Sequence, residues 1–209
     1  MTVNIRWLGH ASFKIAGAGK IVYIDPWKLG SSAADATIIC ISHGHYDHYS
    51  PEDIKKISGA ETVIVGPADV IRNERNTRPL EPGRSMELSG VKITGIASYN
   101  LAKQFHPKSN NWLGFVIEID STRIYYAGDT DLIEQMTELK GIDAALLPVG
   151  GTYTMDAKAA ADAASIIRPG CAIPYHFGDI VGSRADAERF SQSADCRVEI
   201  LEPGEAVEL

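Results

Sequence analysis

Residues 42–50 read SHGHYDHYS, and no other segment constrains the chain as strongly. Within them His43, His45, Asp47 and His48 form the pattern H-x-H-x-D-H. Random placement would produce this pattern with a probability on the order of 10⁻⁴ to 10⁻³, which makes it a strong signal. An apolar run at 37–42 leads into it and reads as a buried strand. A capped helix at 50–57 leads out: Ser50 suits the N-cap, Pro51 the first helical position and Asp53 a capping-box-like pattern, and Gly59 lies where a C-cap belongs. The fold must therefore present these side chains from a loop at a strand end, which can turn them toward one point. Imidazole nitrogen and carboxylate oxygen suit zinc and other first-row divalent ions. Four donors this close can also be divided between two neighbouring ions.

The rest of the chain alternates short apolar or period-2 runs with helical segments. The pattern predicts strands at 3–7, 11–15, 20–24, 37–42 and 62–66 in the first half. In the second half it predicts strands at 85–88, 91–98, 115–119, 123–127, 144–149, 171–175, 197–201 and 206–209. Besides the helix at 50–57, helices are expected at 67–75, 131–139, 156–167 and 184–193, with Pro169 and Gly170 stopping the fourth of the five. Strands open each half and strand–helix units follow. No linker or low-complexity stretch divides the chain, so one domain over 1–209 is expected. The arrangement suggests an α/β fold of two mixed sheets packed together with helices outside, a four-layered sandwich.

Composition narrows the function. A chain of 209 residues buries a substantial core without disulfides. Lys and Arg number 20 against 27 Asp and Glu, a formal charge of −7, which disfavours a nucleic-acid partner. The three cysteines, Cys40, Cys171 and Cys196, form neither a disulfide framework nor a CxxC knuckle, and the first two sit in apolar runs as buried hydrophobes. No apolar run approaches the length of a membrane span. Arg6 and His10 stand where a signal peptide would need an apolar stretch. A reduced, soluble, cytoplasmic protein is expected.

The H-x-H-x-D-H segment after a strand resembles the metallo-β-lactamase-fold superfamily. Further motifs run along most of the chain: LGHASFKI at 8–15, IDPW at 24–27, YAGDT at 126–130, LLPVGGTYTM at 146–155 and IPYHF at 173–177. The first two resemble the signature of the branch that holds ascorbate-phosphate lactonase-like enzymes and phosphodiesterases acting on N-acyl phosphatidylethanolamine. The resemblance implies an αββα sandwich with two divalent ions at one edge, zinc ahead of manganese or iron. Carried over by motif, His43 and His45 would hold one ion, and Asp47, His48 and His176 the other, with Asp129 bridging both. His106 is the candidate third ligand of the first ion, with substrate contact or a structural role as alternatives. Asn100 lies nearer the family's usual spacing but is a poor zinc ligand. His10 is expected to contact substrate or support a ligand. Asp25 either orients a ligand histidine through its free N–H or simply shapes the turn before Pro26. Lys108, two residues past His106, is a candidate anion contact, and Lys103 and the arginines at 72–78 are weaker ones. Gly150 and Gly151 either approach an anionic group or form a tight turn.

Paired cations lower the pKa of a shared water and stabilise a developing oxyanion. With Asp47 and Asp129 as the catalytic carboxylates, the resulting hydroxide would cleave a small ester, lactone or phosphodiester, expected to be anionic. The alternatives are a nuclease of the same fold and a non-hydrolytic metal-binding sensor. Oligomeric state leaves no mark on the sequence.

Overall fold

The computed structural model describes residues 2–209. The first sheet has seven strands in the order β14 (Ala206–Glu208), β1 (Asn4–Gly9), β2 (Ser12–Gly17), β3 (Lys20–Ile24), β4 (Ala36–Cys40), β5 (Ser58–Gly66) and β6 (Thr77–Pro79). The second has the order β13 (Arg197–Val198), β12 (Cys171–Tyr175), β11 (Ala144–Pro148), β10 (Thr122–Tyr126), β9 (Leu113–Ile119), β8 (Val91–Ala97) and β7 (Ser85–Leu88). Each sheet begins with antiparallel hairpins and continues with parallel strands. The parallel crossovers carry α1 (Pro51–Ile57), α3 (Ala157–Ile167) and α4 (Arg184–Ser193). The short α2 (Ala68–Ile71) follows β5. This is the four-layered α/β sandwich of the metallo-β-lactamase fold.

Burial accounts for the strand sequences. AALLP of β11 and CAIPY of β12 are buried at every position, as expected for parallel strands covered on both faces. The main core lies between the sheets, where Phe13 of β2 meets Tyr126 of β10 and Tyr175 of β12 edge-on, at ring separations of 6.1 and 5.6 Å. A smaller core of Ile39, Ile41, Ile54, Ile57, Ile64 and Ile71 packs α1 and α2 on the first sheet. The parallel strands β3 and β4 run side by side, as do β10, β11 and β12. Their carboxyl ends therefore gather at one edge, which is where open α/β sheets bind ligands.

The start of α1 matches expectation: Ser50 Oγ accepts the Asp53 amide and Pro51 opens the helix. Its end does not. The cap is Ser58 in extended conformation, and the chain passes straight into β5, so Gly59 belongs to a strand. The helix expected at 67–75 ends at Ile71. The helix expected at 131–139 is only a 3₁₀ segment, Glu134–Glu138. At the start of that stretch the Asp131 carboxylate accepts from the Leu101 amide at 2.9 Å and pairs with Lys103. Edge strand β6 has no sequence counterpart, having three residues that end in proline. All three cysteines are unpaired, with Cys40 and Cys171 buried as expected. Among the described residues, no helix is long and apolar enough to cross a membrane.

Candidate metal centre

The loop after β4 closes on itself: the amides of His48 and Tyr49 both donate to the His45 carbonyl, at 3.0 and 2.9 Å. It is pinned on two sides. The Leu113 amide donates to the Ser42 carbonyl from the second sheet, and the Asp53 carboxylate accepts the amides of Lys28 and Leu29 at 2.9 and 3.1 Å. The other site residues leave strand ends. Asp129 follows β10, His176 follows β12, Asp25 follows β3 and His10 follows β1. His10, Asp25 and His176 have φ of 47°, 44° and 63°. This left-handed conformation is uncommon outside glycine, although His and Asp tolerate it better than most residues.

The structure brings together every ligand named from the motifs, in two clusters. His43, His45 and His106 form one, and His48, His176, Asp47 and His10 form the other. Asp129 reaches both. Its Oδ1 lies 3.2 Å from His48 Nε2, and its Oδ2 lies 3.2 Å from His176 Nε2 and 3.5 Å from His106 Nε2. His43 Nε2 and His106 Nε2 are 3.2 Å apart. Ligand nitrogens about 2.0–2.1 Å from a tetrahedral zinc stand roughly 3.3 Å from each other, so this spacing fits two corners of one coordination sphere. His48 Nε2, His176 Nε2 and Asp129 Oδ1 are buried without a hydrogen-bond partner. Buried polar atoms normally find partners, and nitrogen and oxygen donors left open around one space suit divalent cations. The residues present therefore fit a metal centre.

The backs of the histidines are fixed by other side chains. Asp25, fully buried, accepts four hydrogen bonds: from the Ser42 amide at 2.7 Å, from Ser42 Oγ, from His48 Nδ1 at 2.7 Å and from Tyr126 OH at 2.7 Å. Ser42 Oγ in turn accepts His43 Nδ1–H at 2.8 Å. One carboxylate thus anchors two imidazoles at Nδ1 and turns their Nε2 atoms into the site, the usual arrangement behind ligand histidines. Asn100 Oδ1 accepts the His106 amide at 3.2 Å and lies 3.4 Å from His106 Nδ1. Asn100 therefore supports His106 rather than facing the site itself. His10 Nε2 donates to Asp47 Oδ2 at 2.9 Å. Trp112 packs against His43, His45 and His106, at ring separations of 5.0, 5.0 and 5.3 Å.

Burial and charge set the protonation states. Burial holds His43 well below its usual value, and it lowers His106 to about 4. Burial pushes His48 the same way, but the carboxylates of Asp129 and Asp25 outweigh it and raise His48 well above the usual range. Asp129 is the mirror case: burial favours its neutral form, yet His176 and His48 hold it well below the usual carboxylate range. Asp47 is likewise lowered against the effect of burial by His10 and His48.

Lys108 does not join the site. Its Nζ sits over the Tyr99 ring, 4.9 Å from the centroid, and it lines a separate cavity of about 550 Å³. Lys103 is taken up by Asp131 and the Thr154 carbonyl. Gly150 and Gly151 form a tight turn, in which the Thr152 amide donates to the Gly150 carbonyl and the Gly151 amide to the Met155 carbonyl. The sequence reading missed Ser42, Tyr126 and Trp112. The first two stand inside motifs it used, beside His43 and just ahead of Asp129. Trp112 carried no signal of its own.

The chain matches the beta-lactamase superfamily domain over residues 4–176. It is 36% identical to a UPF0173 metal-dependent hydrolase of Thermococcus onnurineus, over 99% of this chain and 100% of that protein. Among solved structures it resembles Igni18, a metallo hydrolase from Ignicoccus hospitalis, with a TM-score of 0.82 and 25% identity over 100% and 99% of the two chains. The metallo-beta-lactamase fold protein YhfI from Bacillus subtilis shares the fold, with a TM-score of 0.77 at 13% identity over 99% of each chain.

Proposed function

This chain belongs to the beta-lactamase superfamily, with the UPF0173 metal-dependent hydrolases as relatives, and from that membership we propose that it hydrolyses a small ester, lactone or phosphodiester using two divalent cations, zinc ahead of manganese or iron. The observation that carries the proposal is the convergence of four Nε2 atoms, from His43, His106, His48 and His176, around Asp129. His43, His45 and His106 would hold one ion, Asp47, His48 and His176 the other, and Asp129 would bridge them. The absence of thiolate donors suits zinc, manganese or iron without choosing among them.

Two cations bound there would supply Lewis acidity and a water acidified to near neutrality. The chain supplies the rest. Asp25, directly and through Ser42, fixes the Nδ1 side of His48 and His43 and aims their Nε2 atoms into the site. Every polar contact of Asp47 runs through Oδ2, which His10 Nε2–H holds. Oδ1 is left to take a proton from the attacking water and return it to the departing alkoxide, the role of a general base and then a general acid. Water oxygen bonds to the carbonyl carbon or phosphorus as the bond to the leaving oxygen breaks.

The compartment proposed is the cytoplasm, which suits three unpaired cysteines. The chain is taken as one domain acting on a small molecule, without a nucleic-acid partner. Turnover of p-nitrophenyl esters, a lactone panel or bis-p-nitrophenyl phosphate by the metal-loaded protein, lost in His48→Ala with the fold retained by circular dichroism, is the expected result. A loaded, folded protein idle across the whole panel would overturn the proposed activity.

A further inference from the structure

A cavity of about 210 Å³ opens onto His45, Asp47, His106 and Asp129. That volume holds roughly seven water-sized groups, enough for a short chain or one ring. The rest of its wall is Tyr46, Phe105, Tyr153 and Ile180. Among the described residues, the large apolar side chains that remain exposed are Tyr46 (67%), Leu101 (68%), Phe105 (47%), Ile166 (37%) and Ile180 (46%). Three of these five meet at this one cavity. Scattered exposed apolar groups need no explanation, but a cluster at a concave site marks a binding surface.

Ile180 is the most telling of them. Its φ is 65°, a conformation in which a β-branched residue is strained. It sits in a turn between Gly178 and Gly182, both also at positive φ, where another glycine would be relaxed. Neither burial nor backbone geometry calls for isoleucine at 180. Strain that the fold retains without a structural return points to a function for the side chain.

Charge is missing from the same wall. Among the described residues, no lysine or arginine lines the cavity. The nearby candidates are engaged elsewhere: Lys103 by Asp131, Lys108 by the Tyr99 ring, and Lys28 by Asp179 at 2.7 Å. A carboxylate or phosphate carried away from the reacting bond would lose water here and gain no partner.

Resting on the hydrolase function above, we infer that the mouth selects esters or lactones whose non-reacting part is neutral and apolar, an alkyl or aryl group, and that Tyr46, Phe105 and Ile180 are its specificity-determining residues. The apolar part packs among these three side chains, while the reacting carbonyl lies at Asp129 and Asp47. The expectation of an anionic substrate, drawn from the lactonase resemblance and from Lys103, Lys108 and the arginines at 72–78, is the alternative to this inference.

The test uses the metal-loaded protein and three esters with the same leaving group: p-nitrophenyl acetate, p-nitrophenyl hexanoate and mono-p-nitrophenyl adipate. Acetate lacks the acyl chain that would pack on the collar and serves as the reference ester. Hexanoate and adipate have the same chain length and differ by a terminal charge. The expected kcat/KM for hexanoate exceeds that for adipate by at least about tenfold. Ile180→Gly and Phe105→Ala should abolish that preference by raising KM for hexanoate, and in the case of Ile180→Gly hold or raise the thermal midpoint. Ile180→Lys should move the preference toward adipate. If acetate is cleaved and adipate does as well as hexanoate, the inferred selectivity is wrong and the hydrolase function stands. If no ester is cleaved, saturation-transfer NMR with hexanamide decides: tail contacts that vanish in Phe105→Ala support the collar, and their absence from the parent protein overturns it. A dimer that dissociates in Phe105→Ala, detected by sedimentation, would assign the collar to a second copy and overturn the inference as well.

Discussion

Asp25 Oδ2 accepts Nδ1–H of His48 at 2.7 Å, with both side chains fully buried. The same carboxylate reaches His43 through Ser42 and takes the hydroxyl of Tyr126. One residue of the first sheet therefore orients ligands of both proposed ions and ties them to the second sheet.

Asp25→Asn should weaken metal binding about 10- to 100-fold, the usual cost of losing a partner behind a ligand histidine. Asp25→Ala should in addition destabilise the fold by about 3 kcal/mol or more, because buried donors from Ser42, His48 and Tyr126 lose their acceptor. Chelator competition measures the first effect and denaturant unfolding the second. Metal affinity within twofold of the parent in both variants would remove Asp25 from the site.

Acid should release the two ions in sequence. A histidine must be deprotonated to coordinate. His43 is held well below its usual pKa and His106 at about 4, so both stay neutral as pH falls through 6. His48 is raised well above the usual range, so a proton competes for it already near neutrality. On lowering pH from 8 to 5, the ion on the His48 side should leave first. The ion that remains should be absent from His106→Ala and present in His48→Ala. Metal content after stepwise dialysis reads this directly, and loss of the His106-side ion first would contradict it.

Gly150 backs His176. A Cβ there would lie 2.4 Å from the His176 carbonyl oxygen and 3.3 Å from its Nδ1. Gly150→Ala should therefore displace that histidine, cost about 1–3 kcal/mol through overpacking, and lower metal content on the His48 side. A variant with unchanged thermal midpoint and full metal content would show that the turn yields freely.

Much of the site was legible because its residues lie in short motifs at strand ends, where sequence neighbours remain spatial neighbours. H-x-H-x-D-H, Asp129 and His176 belong to this group. For Asp25 the sequence left an orienting group and a turn former open, and its hydrogen bond to His48 Nδ1 favours the first. His106 needed the structure, because its support comes from Asn100, six residues back across a loop whose path no periodicity describes. Lys108 misled for the same reason: two residues from His106 in sequence, it is carried to the Tyr99 ring by that loop. The helix expected at 131–139 shrinks to a 3₁₀ segment, with Asp131 at its start held by long-range contacts to Asn100 and Leu101. The apolar collar was invisible, since Tyr46, Phe105 and Ile180 come from three separate loops and look like ordinary surface residues one at a time.

Metal content of the purified, chelator-free protein tests the central claim most directly. Two ions per chain, to within about 20% by inductively coupled plasma mass spectrometry, are expected after equilibration with zinc or manganese and removal of unbound metal. His106→Ala and His48→Ala should each fall to about one. A parent protein that retains no metal under these conditions, or whose content is unaffected by either substitution, would contradict the assignment of these two clusters as the metal centre.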